Sequence, residues 1–276
     1  MPLPRAHEFP RGPVNAVIPH LPAAAQFGDF FRGLALPFRA LRVMVSSPKL
    51  VGLSLISGLV TSGVLAGLAW FWWPRAFGWA EALIGTGSWR DVVSAVVGFL
   101  FFALTFFVSA LTAPNLVLAP LQDPLSEATE ARCGNFTAPV FSLPATLRGT
   151  LHSIGHTLLR LATQLLGVAV LLPLNLIPGA GSIAFAIAGS LWSMFCLAIE
   201  HLSNPMARHL YPFGQVVLVL RRRLALSLGF GAALYVMLWV PVLNFFLMPV
   251  AVVAGTLLFR ALRKVEALGP PPPAPS

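Results

Sequence analysis

Charge is what this sequence has least of. Asp, Glu, Lys and Arg together make up 10% of its 276 residues, where a soluble domain carries about 25%. Hydrophobic residues reach 57%, and that balance excludes a water-soluble globule. Cysteine is nearly missing as well. Cys133 and Cys196 build neither a disulfide framework nor a thiolate metal centre. Acidic residues number nine against eighteen Lys+Arg, and the longest apolar runs hold no acid at all, so nothing there argues for proton coupling within a membrane. There is no Ser/His/Asp order and no phosphate-cradling glycine loop, so enzyme activity has no support. No cofactor is implied. The first 27 residues lack the apolar stretch of a secretory signal peptide.

What is present are four uncharged runs: Leu50 to Trp73, Val92 to Gln122, Leu161 to Ile199 and Leu224 to Phe259. Stretches of about 18 or more such residues read as membrane spans. The first two runs each fit one long helix. The third and fourth, 39 and 36 residues long, exceed one span of about 20 residues. Both are interrupted near the middle. The third carries LPLNLIPGAGS at 172–182 and the fourth Pro241-Val-Leu-Asn244. Proline removes a backbone donor and glycine admits turn conformations, so each of these runs folds back as a pair of shorter helices. The fold class is therefore all-α: a polytopic integral membrane protein with two long transmembrane helices and two interrupted helix pairs that cross fully or part-way. Paired interrupted segments point to transporter sites. That singles out Asn175, Pro178, Gly179 and Gly181, with Pro241 and Asn244, as pathway or hairpin-tip residues.

Residues 1–27 read as a disordered arm, 28–264 as the membrane domain and 265–276 as a disordered Pro-rich tail. Within 28–47, Phe30, Phe31, Leu34, Leu36, Phe38, Leu41, Val43 and Val45 alternate with Asp29, Arg32, Arg39 and Arg42, the pattern of an amphipathic helix in the headgroup plane, broken at Pro37, or else of a cytoplasmic helix packed on the rest of the protein. Five tryptophans between Trp70 and Trp89 mark a membrane–water boundary. With both termini cytoplasmic, the loop 74–91 holds only Arg75 and Arg90 of the 18 basic residues, leaving sixteen inside, in line with the positive-inside bias. The basic residues thus belong to membrane anchoring, and nucleic acid is not an expected partner.

Three polar clusters stand out. Glu127 and Glu130 share a helix face at i, i+3, beside Asp123, and read as a cation site or a solvated helix start. Asn204-Pro205 reads as a turn, with Glu200 and Arg208 placed to form an ion pair. His152 and His156 sit at i, i+4 without a third ligand, so no metal site is expected.

The stretches APLQDPLSEATE, PVLNFFLMPVAV and Asn204-Pro205…His209…Pro212-Phe213 resemble the CysZ sulfate-transporter family, also described as the etoposide-induced domain family. The resemblance implies a bacterial inner-membrane homo-oligomer that takes up sulfate for cysteine synthesis, with membrane lipid and a small inorganic anion as partners. It further implies an oxyanion site at the start of the first membrane helix, where such proteins carry Pro-Gly-apolar-Arg-Arg. Here the stretch is Pro48-Lys49-Leu50-Val51-Gly52, without the arginine pair, so the anion-binding candidates are Lys49, Leu50, Val51 and Gly52. The expected function is a permease or channel for a small anion, sulfate first. The alternative is a structural or assembly protein of the same fold that organises membrane or partners without moving solute.

Overall fold

The computed structural model describes residues 20–85, 87–133, 143–238 and 241–268, apart from the side chains at 107, 108, 110–122, 143–148, 150 and 241–247. Among these residues every regular element is helical. In chain order they are α1 Asp29–Leu34, α2 Leu36–Val45, α3 Pro48–Ile84, α4 Ser88–Arg132, α5 Leu143–Leu171, a 3-10 turn Leu172–Leu176, α6 Gly181–Arg208, α7 Phe213–Arg222, α8 Leu224–Leu238 and α9 Pro241–Lys264. Pro48–Ile84, Ser88–Phe106, Leu151–Leu176 and Gly181–Arg208 are long and apolar enough to cross a membrane, and at most 22% of any of their apolar windows is buried in protein. Side chains this apolar and this uncovered need lipid as solvent. The protein is an all-helical membrane protein.

The chain forms two compact units, residues 52–122 and the remainder. The first is a helical hairpin. α3, 37 residues long, spans about 55 Å at 1.5 Å per residue and continues through Pro74 without ending. The expected loop at 74–91 is helix as far as Ile84, and α4 starts again at Ser88. Gly85 at φ +78° and Gly87 at φ +139° take conformations that side chains resist. Asp91 then reaches back to accept from the Gly87 amide at 3.1 Å, satisfying a donor that the start of α4 leaves over. Below the turn Gly98 lets the Phe77 ring approach closely. Trp72 donates to the Ser109 hydroxyl at 2.9 Å.

In the second unit the third run folds as the sequence predicts. α5 descends to the 3-10 turn, and α6 returns. Gly179 makes the bend at φ +77°, and Gly181 lies against the Leu174 carbonyl where a Cβ has no room. The fourth run behaves differently. α8 has 15 residues, about 22 Å, against a hydrocarbon core of about 30 Å. Its apolar surface is spent on protein: Leu226, Phe230 and Leu234 are buried, as is α9 from Val250 to Phe259. α8 packs on α1, α6 and α9, while α9 packs on α2 and α6. Glycine permits three of these approaches, each putting helix backbones in contact: Gly229 on the Phe30 carbonyl, Gly231 on that of Met194, Gly255 on that of His201.

Pro205 does not start a turn. It lies inside α6, and because it has no N–H it leaves the His201 carbonyl without its helical donor. Gly255 sits against that oxygen. Residues 20–27, read from sequence as part of the arm, are held in place. Leu21 is buried, and Arg223 donates to the carbonyls of Pro22 and Ala23 at 2.9 and 2.8 Å while facing Asp29 at 3.6 Å.

Candidate functional site

The first turn of α3 follows directly on α2 through Ser46 and Ser47. The Val51 amide donates to the Ser47 carbonyl at 3.0 Å, closing the helix. Pro48 has no N–H, so the amides of Lys49 and Leu50 are the ones without a partner inside the helix. Leu50 packs its side chain into the core at 1% exposure, fixing the turn. Lys49 projects outward and pairs with no acid among the described residues. Of the four anion-binding candidates, Lys49 and Leu50 thus offer amides; Val51 does not. Gly52 contributes open space, with nothing within 4 Å of where a Cβ would stand.

A residue that sequence reading missed stands beside this turn. Arg132, the last residue of α4, donates to the Ser46 carbonyl at 2.9 Å and to its hydroxyl at 3.2 Å. These acceptors are neutral, and no acid among the described residues pairs with Arg132. No ion pair offsets its charge among the described residues, and Ser46, which it grips, lies three residues before Lys49 along the chain. Nothing in the local sequence hinted at this contact, because its partner lies 86 positions away.

Arg132 is positioned by a polar seam along the last turns of α4. Glu130, at 1% side-chain exposure, pairs with the Arg208 guanidinium and lies 2.9 Å from His209 Nε2. Arg208 also donates to the Asp123 carbonyl at 3.2 Å. The Ser126 and Thr256 hydroxyls meet at 2.8 Å, and Arg260 donates to the Cys133 carbonyl at 3.3 Å. Burial pushes the Glu130 carboxyl up, but the His209 hydrogen bond and the Arg208 charge outweigh it and hold it below the usual carboxylate range. Glu130 is thus neither a solvated helix-start acid nor an open cation site: it is ion-paired, near the carboxyl end of α4. Arg208 pairs with it rather than with Glu200, which instead faces Arg160 at 3.5 Å.

The two histidines of the HSIGH segment meet at a backbone group. Their Nε2 atoms converge on one acceptor, the Tyr211 carbonyl, at 3.0 and 2.9 Å, tying α5 to the chain between α6 and α7. Asn175, Pro178 and Gly179 are exposed at the α5–α6 tip, while Gly181 is buried; that tip packs on α5 and α6. Pro241 opens α9 and Asn244 lies in its first turn, so the stretch 241–244, read from sequence as the interruption of the fourth run, is helical. Their side chains lie outside the described ones.

Comparison with known proteins points the same way as the helices. The model of the family described as Sulfate transporter CysZ/Etoposide-induced protein 2.4 matches residues 36–249. Proteins called "Sulfate transporter CysZ" from Salmonella typhi, Salmonella enteritidis and Salmonella typhimurium are each 28% identical over 223 residues, covering 78% of this chain and 87% of theirs. Four apolar spans and a family match running from α2 into α9 lead to one assignment: this chain belongs to the Sulfate transporter CysZ/Etoposide-induced protein 2.4 family.

Proposed function

We propose that the protein is a permease or channel for a small inorganic anion, sulfate first, in a bacterial inner membrane, with both termini cytoplasmic. The observation that carries this reading is the pair of uncompensated cations at the start of α3. Among the described residues Lys49 and Arg132 have no acidic partner there, and the amides of Lys49 and Leu50 have no partner within the helix. A helix amino terminus favours anions through its free N–H groups and its dipole. Arg132 supplies a planar guanidinium to a site whose sequence lacks the family's arginine pair; Lys49 supplies a point charge. The tips at Asn175–Gly181 and near Pro241 are the proposed pathway elements, because irregular backbone at membrane depth has to be buried in protein or wet. The absence of carboxylates from the four apolar runs favours passive flow over proton coupling. Assembly as a homo-oligomer belongs to the same proposal.

Uptake of radiolabelled sulfate into proteoliposomes tests it. The parent chain transports, and Lys49→Ala and Arg132→Gln each cut uptake about tenfold, the effect of losing one charge-assisted contact of ~1.4 kcal/mol. Parent vesicles that take up neither sulfate nor a related oxyanion would overturn the reading.

A further inference from the structure

The α1–α2 segment has two apolar faces, and among the described residues only one of them packs on the protein. Asp29, Gly33, Leu36, Ala40, Val43 and Ser47 are all buried. They recur at steps of four and three, the seam of a helix laid along a partner, and the partners are α8 and α9. On the opposite side Phe27, Phe31, Phe38 and Val45 recur at steps of four, seven and seven, so they form a second stripe. These side chains are 88, 66, 63 and 68% exposed. Leu41, 41% exposed, falls on the same line. Between the two faces, on one flank, lie Arg39 and Arg42, neither with an acidic partner among the described residues.

We propose that this outward stripe seats in the surface of an anionic bilayer, with Arg39 and Arg42 on the headgroup phosphates. An apolar stripe of this length is costly in water. A flank of guanidinium groups is what distinguishes a face meeting acidic lipid from one meeting protein: each group pairs with phosphate in bidentate fashion, and its stem lies along the apolar surface. The occupant is at hand, since the same chain sends four apolar helices into a membrane. The inference does not depend on which solute the protein moves.

The full chain with Cys133 and Cys196 changed to alanine, carrying one nitroxide at Phe38→Cys or Val45→Cys, is reconstituted into two kinds of vesicle: phosphatidylcholine alone, or phosphatidylcholine mixed with phosphatidylglycerol. In the mixed vesicles the label collides with oxygen more than with a water-soluble nickel chelate, and a label at Ala24→Cys shows the reverse. Adding Arg39→Gln and Arg42→Gln raises nickel collisions at Phe38 several-fold in mixed vesicles and leaves those in phosphatidylcholine alone unchanged. Full nickel access at Phe38 and Val45 overturns the proposal. So does spin–spin broadening between molecules, which would mean that a second copy covers the stripe. Should the cysteine-free chain fail to fold, the unmodified chain is titrated with spin-labelled lipids. The motionally restricted fraction then favours phosphatidylglycerol, and the double arginine variant loses that preference; an unchanged preference also overturns the proposal.

Discussion

His209 Nε2 stands 2.9 Å from Oε2 of Glu130, a carboxylate 79 positions earlier in the chain. With Arg208 on the other oxygen, this one acid joins the end of α4 to the end of α6. Removing its charge takes from the partly buried Arg208 the carboxylate that faces it. Glu130→Gln is expected to lower the unfolding free energy by about 3 kcal/mol, read as a lower thermal midpoint in detergent. A midpoint equal to that of the parent would contradict the role given to the pair.

The same acid sets a pH dependence. Its folded pKa lies below the ordinary value of 4.5, so its contribution to stability is complete above pH 4.5 and is lost as pH falls through the lower folded value. The difference in thermal midpoint between the parent and Glu130→Gln should hold constant from pH 7 to about 4.5 and close below that. A difference that closes between pH 7 and 6 would assign the effect to another group.

Both cysteines are free and buried, and burial pushes the Cys133 thiol up to about 11. Since the thiolate is the reactive form, neither cysteine should react with a maleimide at neutral pH until the protein is denatured, after which both should. Mass spectrometry of the labelled chain reads the outcome; prompt labelling of the folded protein at Cys133 would contradict its burial.

The close helix approaches make a sharper set. Gly255→Ala puts a methyl on the His201 carbonyl and should cost about 1–3 kcal/mol. Gly179→Ala, at a positive φ, should cost about 1–2 kcal/mol. Gly189→Ala, in α6 with nothing within 4 Å of its Cβ position, should be neutral or stabilise by up to about 1 kcal/mol. Thermal midpoints ranked in another order would refute the packing described.

How much of this was legible in the sequence depends on the distance over which a residue acts. The α5–α6 hairpin was, because Pro173, Asn175, Gly179 and Gly181 act on their own turn of backbone. Pro74, Pro205 and Pro249 misled or stayed silent: all three lie inside helices, since neighbouring helices and their side chains accommodate the backbone a proline disrupts. The amphipathic pattern at 28–47 was visible, but its double use was not. Which of two apolar faces docks depends on glycines elsewhere, such as Gly229 in α8. The Glu130–Arg208–His209 cluster and the grip of Arg132 on Ser46 join segments 78 and more positions apart, and local spacing carries no trace of such pairings. The Lys49 turn was suggested by resemblance; the place of Arg132 beside Ser46 needed the fold.

The seat of Gly255 on the carbonyl that Pro205 leaves undonated works as a key in a lock. Slide α9 by one residue in either direction and Ala254 or Thr256 would bring its Cβ onto that oxygen. α6 and α9 are therefore indexed to one another and travel as a single lever. A shift of either helix carries the other with it, so relative motion falls to the joints at either end of the pair rather than to the seam within it.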